Sequence, residues 1–212
     1  MAAPTTAVDI CNLALDRLGQ RSISSITSPT TEVEEIYARN YDATLLEMLR
    51  RYVFNFAKKY ALLTVSASKT PAFGYTSAYL LPNDFVRLLA IGDHTIGDDA
   101  QPGLFDLSEG YIFTDVASAG SLKISYIHTS TAIISKWDPL FVRLMVLHLA
   151  AAIAFKLSLK NSLIQAIRDD AADVALSAAA VAGQEKPPRR IERSKLITAR
   201  QYGSRSDPTR YP

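Results

Sequence analysis

DPLFVRLMVLHLAAAIAFKL, running from Asp138 to Leu157, is the most strongly patterned segment of the chain. Asp138 is an N-cap residue whose carboxylate can accept the free amides of a first helical turn. Pro139 takes the first helical position, where its missing N–H leaves no bond unmade. From Phe141 to Leu159 the residues are apolar nearly all round, which predicts a helix over 139–159 buried at the centre of the fold. The longest apolar run, Leu144–Phe155, is interrupted by His148 and closed by Arg143 and Lys156, short of the roughly 18 residues a membrane span needs. A helix apolar on every side needs partners on every side, and the flanking sequence supplies them.

Downstream, Lys160-Asn161 reads as a tight turn and Ser162 with Gln165 as the cap of a helix over 162–182. That helix places Ile164, Ile167, Ala171, Val174, Ala178 and Ala182 on one face and ends at Gly183. Upstream, Cys11, Ala14, Leu15 and Leu18 recur at helical spacing over 6–18, and Gly19 follows where a left-handed cap is wanted. A helix over 31–57 opens on a Thr31/Glu34 capping box and carries a stripe from Val33 through Tyr37, Tyr41, Met48 and Tyr52 to Phe56. Its first turn is acidic and its end basic (Arg50, Arg51), which complements the helix dipole.

Between the two helical pairs, over 58–128, the period changes to two. Short runs (60–65, 79–81, 87–91, 104–106, 111–114 and 122–127) are separated by Pro, Gly, Asn or Asp, and Ser108-Glu109-Gly110 reads as a hairpin turn. The expected fold is thus mainly α with one small antiparallel β region inserted, an α+β chain built on a four-helix bundle core and ending in an extended arm.

The 212 residues, 48% apolar and 21% charged, bound the chain to one globular domain, or one with an appendage, at about 150 residues per domain. The opening MAAPTTAVD has no basic region followed by an apolar stretch, so no signal peptide is expected, and synthesis in a cytoplasm is. Charge divides the chain more sharply than composition. Gln184–Pro212 holds eight basic residues against three acidic ones, a net +5, leaving −3 for the body over 1–183. With four prolines and few large apolar residues, that segment buries too little surface to offset the entropy of its own ordering. It reads as an arm that orders only against something else, or as a terminus without a role; stretched, its 29 residues reach about 95 Å at ~3.3 Å each.

Chemistry-bearing motifs are scarce. The single cysteine, Cys11, excludes an internal disulfide framework and sits on an apolar helix face, where an inert thiol is expected. His94, His128 and His148 have no partner at metal-ligand spacing; His148 reads as a core histidine, and His94 with Asp93, Asp98 and Asp99 as a polar turn rather than a cation site. No GxSxG, phosphate-binding loop or GxGxxG occurs, and no cofactor or metal is expected. Asp169, Asp170 and Asp173 are the candidates for a carboxylate pair of the kind glycan hydrolysis uses, against the plainer reading of a solvated helix face. The basic tail is the candidate for nucleic-acid contact, without a groove-entering helix to read bases.

Four blocks in order carry a resemblance: VDICNLALDRLG (8–19), VFNFA (53–57), YLLPNDFVR (79–87) and DPLFVR (138–143) leading into an alanine-rich helical pair. Together, over about residues 7–182, they resemble the tail tubular protein A family, the head-to-tail adaptors of short-tailed bacteriophages. The chain departs from the family pattern at Val53, where relatives often carry a tryptophan.

The resemblance implies a virion protein of the tail and neck with no reaction to catalyse and no cofactor. It implies a homo-oligomeric ring, commonly of twelve copies, docked beneath the portal protein. The ring holds a tail nozzle protein similar to tail tubular protein B, meets tail fibres, and lets genomic DNA pass non-specifically through its lumen. It also implies that the arm reaches the portal, so Arg189, Arg190, Arg193, Lys195, Arg200, Tyr202, Arg205 and Arg210 become the portal-binding residues. The positive charge suits an acidic groove on the partner. A glycan hydrolase associated with the tail, and a nucleic-acid-binding packaging factor, are the alternatives from other classes.

Overall fold

Thr6 and Asp9 close a reciprocal box at the start of α1 (Ala7–Arg17): the Asp9 amide donates to Thr6 Oγ1 at 3.2 Å, and the Asp9 carboxylate accepts the Thr6 amide at 2.9 Å. Gly19 ends it at φ 66°, with the Gln20 amide donating to the Leu15 carbonyl and the Gly19 amide to Asp16. The chain is described here by a computed structural model covering residues 4–71, 74–92, 94–95, 104–116, 120–129, 134–157 and 160–185. Thr31 and Glu34 form the expected box on α2 (Glu32–Arg51), and Asp138 caps α3 (Pro139–Ala154) by accepting the Leu140 amide at 2.7 Å.

Three helices differ from expectation at their ends. α2 stops at Arg51 rather than near 57, because Tyr52 turns extended (φ −113°, ψ 147°). The extended segment and the 3-10 turn Asn55–Ala57 that follows it bring Phe54 and Phe56 together against Phe141, with ring centroids 5.0 and 4.9 Å away, and Phe56 also stacks on Trp137. α3 ends at Ala154, with a turn over 155–157, since an apolar pattern without Gly or Pro does not mark where the chain must reverse. α4 (Asn161–Gln184) takes Lys160 as N-cap with no side-chain cap bond; Gln165 donates to Asp169 instead of serving Ser162, and the helix runs past Gly183.

The expected four-helix bundle core is not what forms. α3 packs against α4, α1 and α2, and those three are its satellites rather than one another's main partners. The core around α3 is completed by residues outside the four α-helices: Phe54, Ala57 and Trp137, and Val86 and Ile127 from a sheet. Helical periodicity shows that a helix has a face to bury; it does not say what covers that face.

The β region supplies the rest of an α+β fold, and it is two sheets where one was expected. β1 (Lys58–Thr64), β7 (Ser121–His128), β3 (Phe85–Ile91) and β4 (His94–Thr95) form one in that order. β2 (Ser77–Leu80), β6 (Tyr111–Thr114) and β5 (Phe105–Ser108) form the other, and all pairings are antiparallel. β5 and β6 join through Glu109-Gly110, both at positive φ (52° and 78°), the two-residue hairpin turn that strand twist favours.

Tyr79 and Ile112 of the three-stranded sheet pack against Leu88, Ile91, Leu122, Ile124 and Tyr126, making a second core. Strand β7 serves both cores by alternation: Leu122, Ile124 and Tyr126 face the other sheet, and Ile127 faces the helices.

The YLLPNDFVR block sits at the junction of these layers. Asp84 accepts from Lys59 Nζ at 2.7 Å and from Tyr126 Oη at 2.9 Å, tying β1 and β7 to the start of β3. Phe85 stacks on Tyr126 with ring centroids 5.8 Å apart. Arg87 reaches α2 and donates to the carbonyl of Arg50. The opening block has a like role: Asn12 brackets Ile23, accepting its amide at 2.8 Å and donating to its carbonyl at 3.1 Å.

Candidate functional site

Glu185 is where the basic arm leaves the body. Its carboxylate accepts from Asn55 Nδ2, and Asn55 Oδ1 accepts from Lys58 Nζ at 3.0 Å, so the exit is tied to the turn over 55–57. Arg189, Arg190, Arg193, Lys195, Arg200, Tyr202, Arg205 and Arg210 lie outside the described residues, as do Asp93, Asp98 and Asp99. Of His94 only the backbone is described, at the start of β4.

The helix carboxylates do not converge. Asp170 pairs with Arg143 at 3.0 Å, Asp169 is engaged by Gln165 at 2.9 Å, and Asp173 is exposed. Among the described residues no group of three or more His, Cys, Asp or Glu is placed to hold a metal ion. Cys11 is buried, and burial pushes its thiol up to about 12. Tyr37 and Tyr41 are buried with their hydroxyls lacking a hydrogen-bond partner among the described residues, and burial raises both well above the ordinary phenol value.

Polar groups gather instead over α3, in the space between α2 and α4. A cavity of about 400 Å³ opens there, with Arg51 and Glu47 on one side, Arg168 on the other, and His148, Ala151 and Ala152 of α3 as its floor. The Arg51 guanidinium lies over the Tyr52 ring at 5.4 Å, and Tyr52 meets the His148 ring edge-on at 6.3 Å. Burial lowers the His148 imidazole below its ordinary value, the neighbouring Arg51 charge does the same, and Glu47 opposes them. His148 is therefore a neutral ring at pH 7, half-buried against an aromatic edge rather than sunk in the core.

The sequence singled out none of Glu47, Arg51 and Arg168 as a group. Each lies at ordinary helical spacing on its own helix, and no local pattern says that α2 and α4, far apart in sequence, face one another. Chemically the site offers two guanidiniums without an ion-pair partner among the described residues, beside an alanine floor. That combination is complementary to an acidic group set against apolar surface.

A second surface lies on α4. Its inner face (Ile164, Ile167, Ala171, Val174, Ala178) is buried, yet apolar residues are also exposed from Ala172 onward, with Ala172, Ala179 and Ala180 exposed, Leu176 72% exposed and Val181 40%.

No family model matches the chain, and no curated protein matches it. Among the described residues no helix is long and apolar enough to cross a membrane.

Proposed function

We propose that this chain is one subunit of the head-to-tail adaptor ring of a short-tailed bacteriophage virion. The observation that supports it most is the two-sided apolar character of α4. A helix that is hydrophobic on both sides is normally covered on both sides. In the single chain α3 covers one side and leaves Leu176, Val181 and their alanine neighbours in water. A closed ring uses one surface of each copy against a different surface of the next, so every copy gains the missing cover.

The order of the four sequence blocks supports the same reading, and so does their placement. The blocks at 8–19 and 79–87 supply the ties that join loop, helix and sheets, which is where a shared scaffold carries its signature. On this reading twelve copies form the ring beneath the portal, with the nozzle protein and fibres below and DNA passing through the lumen. The arm beyond Glu185 reaches the portal through its arginines, and repetition around the ring multiplies a modest contact into avidity.

Removal of residues 186–212 tests this directly, since it spares α4 and the Asn55–Glu185 tie. The truncated protein folds and no longer co-sediments with purified portal, whereas the full chain does. Equal co-sedimentation of both would refute the assignment of the arm.

A further inference from the structure

β1 lies at the edge of the four-stranded sheet, with β7 on one side of it. In an antiparallel strand the amide and carbonyl of one residue point to one neighbour, and those of the next residue point the other way. The Val65 amide donates to the Gly120 carbonyl on the β7 side at 3.2 Å, and the Ser66 amide donates to the Ala78 carbonyl of β2 at 2.8 Å. Counted back by twos, Lys59, Ala61 and Leu63 bond β7, and Tyr60 and Leu62 point their amides and carbonyls away from it. β2 takes that outer side only from the Val65–Tyr79 bridge onward. Among the described residues no strand pairs with Tyr60 and Leu62 there.

Chains usually blunt such an edge with a very short strand, a bulge, a proline or a charge. β4, at the opposite edge of this sheet, has two residues. β1 has seven, paired one to one from Lys58↔Ile127 to Thr64↔Ser121, whereas β3 shifts register twice against the same strand. Its lysines stand at the first two positions and none follows. Tyr60 is 77% exposed and Leu62 61%, opposite Ser125 and Lys123 on the sheet face that carries Ile127. Two large apolar side chains thus stand in water beside an open row of backbone donors and acceptors. A docking strand uses both, the backbone row for affinity and the side chains for specificity.

Charge selects the occupant. β1, β7 and β3 hold Lys58, Lys59, Lys123 and Arg87 and no carboxylate. The carboxylates tied to this end of the sheet are Asp84, which engages Lys59, and Glu185, which engages Asn55. Lys123, directly opposite Leu62, has no ion pair among the described residues. A basic segment, the chain's own arm included, is repelled here, and an acidic one is drawn in.

We propose that the β1 edge takes up an extended acidic segment of a partner protein as an added strand, antiparallel like every other pairing in the sheets. About five residues lie opposite Lys59–Leu63, roughly 17 Å at ~3.4 Å each. Apolar side chains sit beside Tyr60 and Leu62, and carboxylates follow toward Lys58 and Lys59. The edge is not part of the α4 surface that the ring reading gives to a neighbouring copy, so the two stand or fall separately.

The probe is a labelled, end-capped ten-residue peptide in which Val and Thr alternate and the last three residues are Glu, beside a twin ending in Lys. Fluorescence anisotropy against the full chain in low salt should show the Glu peptide binding at least tenfold more tightly, and Lys58→Glu/Lys123→Glu should cancel that preference. On binding, hydrogen exchange of the Tyr60 and Leu62 amides should slow at least tenfold, while that of Ala61 and Leu63, already bonded to β7, holds. Leu62→Pro removes an outward amide and no bond to β7, and should abolish binding. N-methylation of two successive central amides of the peptide blocks both of its edges and makes the same test on the unaltered chain. Equal binding of the two peptides, no binding, binding that survives methylation, or unchanged exchange at Tyr60 and Leu62 overturns the proposal. So does self-association of the chain alone that Leu62→Pro removes while the Glu peptide stays unbound, which would give the edge to a second copy.

Discussion

Arg87 donates from Nη1 to the backbone carbonyl of Arg50 at 3.2 Å, while Arg50 sends its own Nη1 to the carbonyl of Val86 at 3.0 Å. The carbonyl of Arg50 is one of the last in α2, with no helical partner of its own. Two side chains thus cross between helix and sheet and close the end of α2 onto β3. Arg87→Ala and Arg50→Ala should each lower stability by about 1 kcal/mol, the usual net worth of such a bond. A urea titration should show the midpoint falling with an unchanged slope.

Glu34 is a buried carboxylate with no ion-pair partner among the described residues. It accepts the amides of Ser24, Ser25, Thr30 and Thr31 and the hydroxyls of Ser24 and Thr30, at 2.8 to 3.3 Å. Those bonds, Thr30 foremost, hold it well below the ordinary carboxylate range. A depressed acid stabilises the fold fully above its unfolded pKa, about 4.3, and the contribution fades as pH falls from there toward the folded value. Glu34→Gln should weaken the loop over 20–31 at neutral pH and flatten the loss of stability between about pH 4.3 and 2. Hydrogen exchange of the Ser24 and Thr30 amides is the measurement.

Asp84 behaves alike for a different reason. The Lys59 ammonium lowers it, Tyr126 assists, and Asp84 in turn raises Lys59. Its contribution is likewise present above about 3.9 and lost as pH falls through the folded value. Asp84→Asn should separate β1 and β7 from the start of β3 and lower the thermal midpoint, with the loss vanishing in strong acid.

Much of this was legible in the sequence. Capping residues act within four positions of themselves, so Thr31, Asp138 and Gly19 could be read in place, whereas Thr6, which the spacing makes the first helical residue, is in fact the cap of α1. Period-two runs likewise marked six of the seven strands among the described residues. The two-residue β4 is too short to show a period. What could not be read was decided between distant segments. The second core needs Tyr79 and Ile112 to meet Ile91 and Leu122, and no local spacing encodes that meeting. The same holds for Arg51 and Arg168: each helix reveals its own faces, and the cavity they line belongs to neither alone.

Glu109 sits at φ 52°, a conformation that L residues other than Asn and Asp adopt at a cost of about 1 to 2 kcal/mol. Its compensation is a surface pair with Lys69. Such exposed pairs are worth little. Glu109→Asn should therefore stabilise the β5–β6 hairpin by about 0.5 to 1 kcal/mol, seen as a higher thermal midpoint.

Phe141 is fully buried among Phe54, Phe56 and Trp137, where helix α3 meets the segment that leaves α2. Phe141→Ala should cost about 3 to 5 kcal/mol. Trp137 is the sole tryptophan, so its emission should shift to longer wavelength as that cluster opens.

The adaptor reading is tested most directly by electron microscopy of the full chain mixed with the portal protein of its own virus. The account predicts a closed collar of twelve copies seated on the portal, with α4 covered by the next subunit and density from the segment beyond Glu185 running onto the portal. Bare portal particles beside free single subunits would contradict it.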